Sequence, residues 1–315
     1  MEKEKTSKIS STIRKNILVL IGIGLLAIGA TAAFFGPMEM HVFTMFSEGG
    51  QFHYEGFRFG SFMFGNLAAQ IIGYYFIAAL LLPLGYGTLR LRGWARHLTL
   101  ALLQFWVAGG IPLICAFFFV LISSKQPSIP FAILVAVLLG ALYLLMPVLV
   151  RRLNYHPETI SLFNVNEPDR SWIESIPIPM LTVSLISIFF ILILNTQIYF
   201  NGLFPLFGKW ITGLHGIILL DFSILSLILL VIGMLRSQLW AWWLGMIYYC
   251  LMTLTYIYTL LTSSWIDILS ALNFPPYELD FLAGMPLHSA YFIFLAGPPF
   301  ILTISLIVRS RKHFP

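Results

Sequence analysis

Asp221 is the residue most able to do chemistry in this chain, because it interrupts an apolar run that extends from Leu214 to Leu235. A carboxylate at mid-membrane depth costs about 2.5–3.5 kcal/mol on insertion scales, so such a residue is a functional hypothesis by default. It would serve as a protonatable coupling group or a cation contact. Seven residues, roughly 10 Å of rise, separate it from the expected end of its helix, so a plain hydrogen bond is the competing reading. His215 lies six residues earlier, about 240° around a helix, and does not share its face. His215 and His288 are potential metal or haem ligands, but no ligand spacing surrounds either, and snorkelling or a backbone hydrogen bond explains them as well. Asn66 and Gln70 are four apart and share a helical face with Gly73 close by. With Gln104, Asn195, Gln197 and Asp221 they either line one polar cavity or hold helices together at about 0.6 kcal/mol each. Glu39-x-His41 and His53-x-Glu55, with Glu48 between them, offer candidate metal ligands. A solvated loop uses the same residues, and no cysteine supports them, so no metal or other cofactor is expected.

The elements that position these residues follow from composition. The chain has 315 residues, of which 59% are hydrophobic and only 10% charged, with a mean hydropathy of +0.89. An average globular domain carries about 25% charged residues. So few charges cannot cover a soluble surface, which leaves an all-α integral membrane protein. A span needs roughly 20 apolar residues. Eight stretches qualify, at 17–36, 64–89, 98–122, 130–150, 180–200, 214–235, 239–262 and 287–308. Cys115 and Cys250 each fall inside one of these runs, as small apolar residues.

The cations orient the spans. With the N-terminus inside, fifteen of the 18 lysines and arginines fall on inner segments, in the alternating order that the positive-inside rule demands. Only Arg58, Lys125 and Lys209 fall outside. Both termini are therefore expected in the cytoplasm, with anionic lipid headgroups as partners of the inner face and no nucleic acid.

A repeat is visible at a constant offset of 146. The segment Leu89-Arg90-Leu91-Arg92-Gly93-Trp94-Ala95 matches Leu235-Arg236-Ser237-Gln238-Leu239-Trp240-Ala241 at Leu, Arg, Trp and Ala. Arg90, Trp94, Arg236 and Trp240 have the character of interfacial anchors. Four helices per unit is an even number, so two parallel four-helix repeats are expected. The expected organisation is a basic tail (1–16), a first repeat (17–152), a cytoplasmic linker (153–179) and a second repeat (180–315). Pro157-Glu158-Thr159 opens a helix in the linker. Phe52, Tyr54, Phe57 and Phe59 suggest a short outer hairpin. The spacing of Trp265, Ile266, Ile268, Leu269 and Leu272 predicts an interfacial helix, ended by Phe274-Pro275-Pro276.

The Trp-Ala-Arg turn at Trp94 and the Tyr-His-Pro-Glu linker at Tyr155 resemble those of uncharacterised multi-pass bacterial membrane proteins. That resemblance covers most of the chain and implies the bacterial plasma membrane. It carries no activity and no site residue. Walker, G-x-S-x-G and H-E-x-x-H motifs are missing, which argues against an enzyme. Three functions stay open. A carrier working through Asp221 at the repeat interface is favoured. The alternatives are a non-catalytic subunit or scaffold of a membrane complex, and a membrane enzyme acting on lipid.

Overall fold

The computed structural model describes residues 2–47, 49–52, 57–58, 60–123, 129–166, 171–272, 274–285 and 287–314. Twelve helices occur among them: α1 (Glu2–Phe46), α2 (Phe62–Leu89), α3 (Gly93–Ser123), α4 (Ile129–Tyr155), α5 (Pro157–Asn166), α6 (Trp172–Ser175), α7 (Ile178–Thr196), α8 (Gly213–Leu235), α9 (Leu239–Thr262), α10 (Trp265–Leu272), α11 (Pro276–Ala283) and α12 (Ser289–Ser310). Eight of them, α1–α4, α7–α9 and α12, are long and apolar enough to cross a bilayer. The chain is a polytopic membrane protein. One end of the bundle, called the basic end here, holds the α2–α3 and α8–α9 turns and the α4–α7 connection. The other is the distal end.

Alpha-7 is the centre. Residues 180–187 are buried on every side, as expected of a helix that is apolar all round and enclosed by neighbours. Helices α3, α8, α9 and α12 pack about it, with Leu227, Leu230, Met234, Ala241, Tyr249 and Ile307 fully buried between them. The pair α1–α2 lies outside this core and is joined along a glycine seam. Gly22, Gly29 and Gly36 recur every seven residues on α1, opposite Leu89, Leu82 and Tyr75 of α2. A Cβ on Gly29 would stand 3.0 Å from the backbone nitrogen of Leu82, so these positions let two backbones approach closely. Gly73, which with Ala69 makes a small-xxx-small pattern suited to close helix contact, faces open space instead.

Alpha-4 is the most exposed span and packs chiefly on α3. Its helix widens to a π turn at Ala141–Leu145, directly before Pro147. A proline ring clashes with the carbonyl four residues back, and a wider turn relieves that clash. The Trp106 indole of α3 donates to the Leu142 carbonyl at 3.2 Å and stacks on Tyr143, whose ring lies over Gly110.

Within each four-helix set consecutive helices pack on one another, α1–α2, α2–α3 and α3–α4 in the first and α7–α8, α8–α9 and α9–α12 in the second. A two-fold axis would bring α9 against α1 and α4 as α3 meets α7 and α12, and among the described residues α9 has no comparable packing. The second set and α3 form a closed core, to which the α1–α2 hairpin and the outlying α4 attach. The segment 153–179 also differs from a plain linker. It folds over the basic end, with Phe163 of α5 buried against Leu18 of α1 and Leu91 of the α2–α3 turn. The backbone of α1 begins at Glu2, so residues 2–16 extend that helix rather than form a separate tail.

The distal end holds the expected helix α10 and a second short one, α11. It also holds a hairpin not expected of an all-α chain: β1 (Phe204–Leu206) pairs antiparallel with β2 (Lys209–Ile211). Phe207 and Gly208 both have positive φ, at 42° and 86°, the backbone of a two-residue turn matched to strand twist. The hairpin expected around residues 52–59 lies largely outside the described residues; Phe52 and Phe57 stack on Phe46 at the end of α1.

Candidate functional site

Several polar side chains inside the bundle bond across helices, whereas the buried Thr159 hydroxyl of α5 and the Trp210 indole N–H of β2 have no hydrogen-bond partner among the described residues. Gln104 of α3 accepts from the Thr182 hydroxyl of α7 at 2.9 Å. Ser187 of α7 and Tyr249 of α9, both wholly buried, share a hydrogen bond of 2.9 Å. The Tyr256 hydroxyl donates to the Phe292 carbonyl, and Trp242 Nε1 donates to the Ile307 carbonyl of α12. Each of these bonds ties two different helices, and none leaves a free charge in the core.

Asp221 is elsewhere. Alpha-8 turns Leu220, Ser223, Leu227, Leu230 and Met234 inward, and Asp221 lies on the opposite, exposed face. Its neighbours on that face are Leu214, Ile218, Phe222 and Leu225, all more than half exposed. Among the described residues it has no hydrogen-bond or ion-pair partner. The helix begins at Gly213 and ends at Leu235, so its midpoint is residue 224. Asp221 is three residues from that midpoint, roughly 4.5 Å of rise, which is deeper than its distance from one end suggested.

Asn66 and Gln70 are likewise exposed, on the side of α2 turned away from α1, and have no partner among the described residues. Alpha-2 and α8 do not pack against each other. The cavity expected from Asp221 and the amides is therefore not assembled: Asp221 points outward from α8 and Asn66 and Gln70 from α2, Gln104 is bonded to Thr182, and the exposed Asn195 donates to the Ile191 carbonyl of its own helix. His215 is exposed at the start of α8, and His288 is exposed just before α12. Glu39 and His41 fall two apart on α1, on opposite sides of a helix, so they cannot share one ion. His53, Glu55 and Glu48 lie outside the described residues. No group of three potential metal ligands occurs among those described.

No protein-family model, curated protein or solved structure matches the chain. Its functional reading therefore rests on its own geometry.

The anchor residues keep the relation seen in the sequence, and keep it in three dimensions. At the first turn the backbone N–H of Arg90, Leu91 and Arg92 donates to the carbonyls of Tyr86, Thr88 and Gly87. At the second, Arg236, Ser237 and Gln238 donate to Ile232, Met234 and Gly233, each shifted by 146. Leu91 and Ser237 both adopt φ of 52°, closing the helix with one left-handed residue. Trp94 folds over Gly87 as Trp240 folds over Gly233, where a Cβ would meet the indole at 2.6 and 2.7 Å. The glycine pair extends the motif and was readable at the same offset.

Other contacts carried no sequence signal. At the basic end Arg14 bonds Glu158 at 3.1 Å and donates to His156 at 3.0 Å, so the Tyr-His-Pro-Glu segment latches α1. At the distal end the buried Glu278 of α11 accepts from the Phe62 N–H at 2.7 Å, capping α2 across 216 residues of chain. Asp267 caps α10: the Ser264 N–H and then its hydroxyl hold that carboxyl below the usual range.

Proposed function

We propose that this chain is a non-catalytic subunit or scaffold of a membrane complex. It resides in the bacterial plasma membrane with both termini cytoplasmic and its basic end against anionic headgroups. The observation that carries the reading is the sorting of polar groups. Gln104, Ser187, Tyr249, Tyr256 and Trp242 inside the bundle are paired, while Asp221, Asn66 and Gln70, which have no partner among the described residues, face outward. A carrier working through these residues needs them along one shared path, and with Asp221 outward on α8 and Asn66 and Gln70 outward on α2 that support falls away. An unpaired carboxylate facing hydrocarbon is costly, and a second protein relieves the cost. The folded cap over the basic end and the closed core suit a rigid docking body.

The test is photo-crosslinking in native membranes from probes placed singly on α8 and α4. Probes at Leu214, Ile218 and Leu225 should give one adduct of discrete mass, and probes at Val137 and Leu138 of α4 should give none. Absence of any α8 adduct would overturn the reading. So would uptake of solute by vesicles containing the protein that is lost on Asp221→Asn.

A further inference from the structure

We infer that the outward face of α8 docks a transmembrane helix of a different protein, and that this helix carries a lysine or arginine at the depth of Asp221. The inference rests on the subunit reading and adds the partner's chemistry. Leu214, Ile218, Phe222, Leu225, Leu229 and Ile232 are exposed along nearly the whole length of α8. They form a stripe at helical spacing with Asp221 near its middle. A stripe without the carboxylate would be satisfied by lipid, because hydrocarbon tails are as apolar as leucine. The carboxylate changes that, since neither lipid tails nor any described residue of this chain gives it a donor. Intramembrane ionisable residues pair with one another or line a polar path. No described neighbour encloses this one in a path, so pairing remains.

Charge complementarity argues against a second copy meeting this one symmetrically through α8. The spans have no lysine or arginine near the bilayer centre; Arg96, Arg151, Arg152 and Arg309 all lie at the basic end. Two copies meeting symmetrically through α8 would set carboxylate against carboxylate, and His215 lies roughly 9 Å further along the helix. A partner helix with one cation opposite Asp221 supplies both the charge and hydrogen-bond donors. A lysine or arginine stem also adds apolar area against Ile218 and Leu225.

The experiment uses the full chain in phosphatidylcholine vesicles and an acceptor-labelled synthetic helix of leucine and alanine. One version carries a single lysine three residues from its centre, and a second has leucine there. A third places the lysine seven residues away. Energy transfer from the protein's tryptophans reads association. The first helix should bind about tenfold more tightly than the other two, the scale of a strong interhelical polar contact, and Asp221→Asn should abolish the difference. Thermal unfolding of Asp221→Asn should match wild type, because the side chain faces outward. Equal binding of the three helices overturns the inference, as does a preference that survives Asp221→Asn. Association of two copies that is lost on Asp221→Asn overturns it too. If native-membrane crosslinks on α8 capture a protein whose contacting helix has no basic residue, this inference fails and the subunit reading stands. If no protein is captured, both fail.

Discussion

Replacing Glu278 should loosen the distal end out of proportion to one surface acid. Its carboxylate accepts from the Phe62 N–H at 2.7 Å, while Ser61 caps the next turn by accepting from Phe64 at 3.0 Å. The first N–H groups of a helix have no intrahelical partner, and the positive end of the macrodipole favours an anion there. A hydrogen bond to a charged acceptor contributes about 1.5–3 kcal/mol, and loss of a cap costs about 0.5–2 kcal/mol. Because Glu278 is buried, water does not substitute freely for it. Glu278→Ala should therefore cost about 2–3 kcal/mol, and Glu278→Gln, which keeps an acceptor oxygen, about 1 kcal/mol. Reversible unfolding in mixed micelles measures both, and hydrogen exchange at Phe62 and Phe64 locates the change. A loss below about 0.5 kcal/mol for Glu278→Ala, the usual range of a surface substitution, would refute the argument.

Three further outcomes test other joints. Gly85→Ala should cost about 1–3 kcal/mol by overpacking, because its Cβ would stand 2.8 Å from the Leu26 nitrogen and 2.9 Å from the Gly22 carbonyl; unfolding of the α1–α2 pair followed by Phe35–Tyr74 proximity reads it. Gly87→Ala and Gly233→Ala should destabilise by amounts within about 0.5 kcal/mol of each other, since the two turns are equivalent, and unequal losses in paired melts would deny that equivalence. The Asp267 cap has a pH signature. Its folded pKa is depressed, so the stabilisation is present above the ordinary aspartate value of about 3.9 and is lost as pH falls through the lower folded value. Protection of the Ser264 amide, taken relative to the unfolded chain, should hold at about pH 4–7 and fall away only below the ordinary aspartate range, and Asp267→Asn should flatten the profile.

Hydropathy and charge order made the eight spans legible, because length and apolarity are what a bilayer requires of a helix. Helices α5 and α10 were legible too, from a proline at the start and from apolar spacing. The direction in which Asp221 points was not. Alpha-8 is apolar around its whole circumference, so periodicity does not separate the face toward α7 from the face toward lipid. The seam of Gly22, Gly29 and Gly36 needs its partner helix before the heptad spacing has meaning. Glu278 reads as an ordinary loop acid until α11 brings it to α2. The 204–211 hairpin was hidden because its strands are three residues long and Phe207-Gly208 is not the common Asn-Gly turn. The repeat shows both sides of this. Its turn is encoded locally and recurs faithfully, while the packing of the helices that leave it depends on neighbours that differ between the halves.

The central claim is that α8 presents Asp221 to another protein rather than to an internal path. Single crosslinking probes along α8 in native membranes test it most directly. The account predicts one partner adduct, periodic along the helix, strong at Leu214, Ile218 and Leu225 and absent at the buried Leu220 and Leu227. No adduct at any outward position, together with access of a water-soluble thiol reagent to a cysteine at 221, would contradict it.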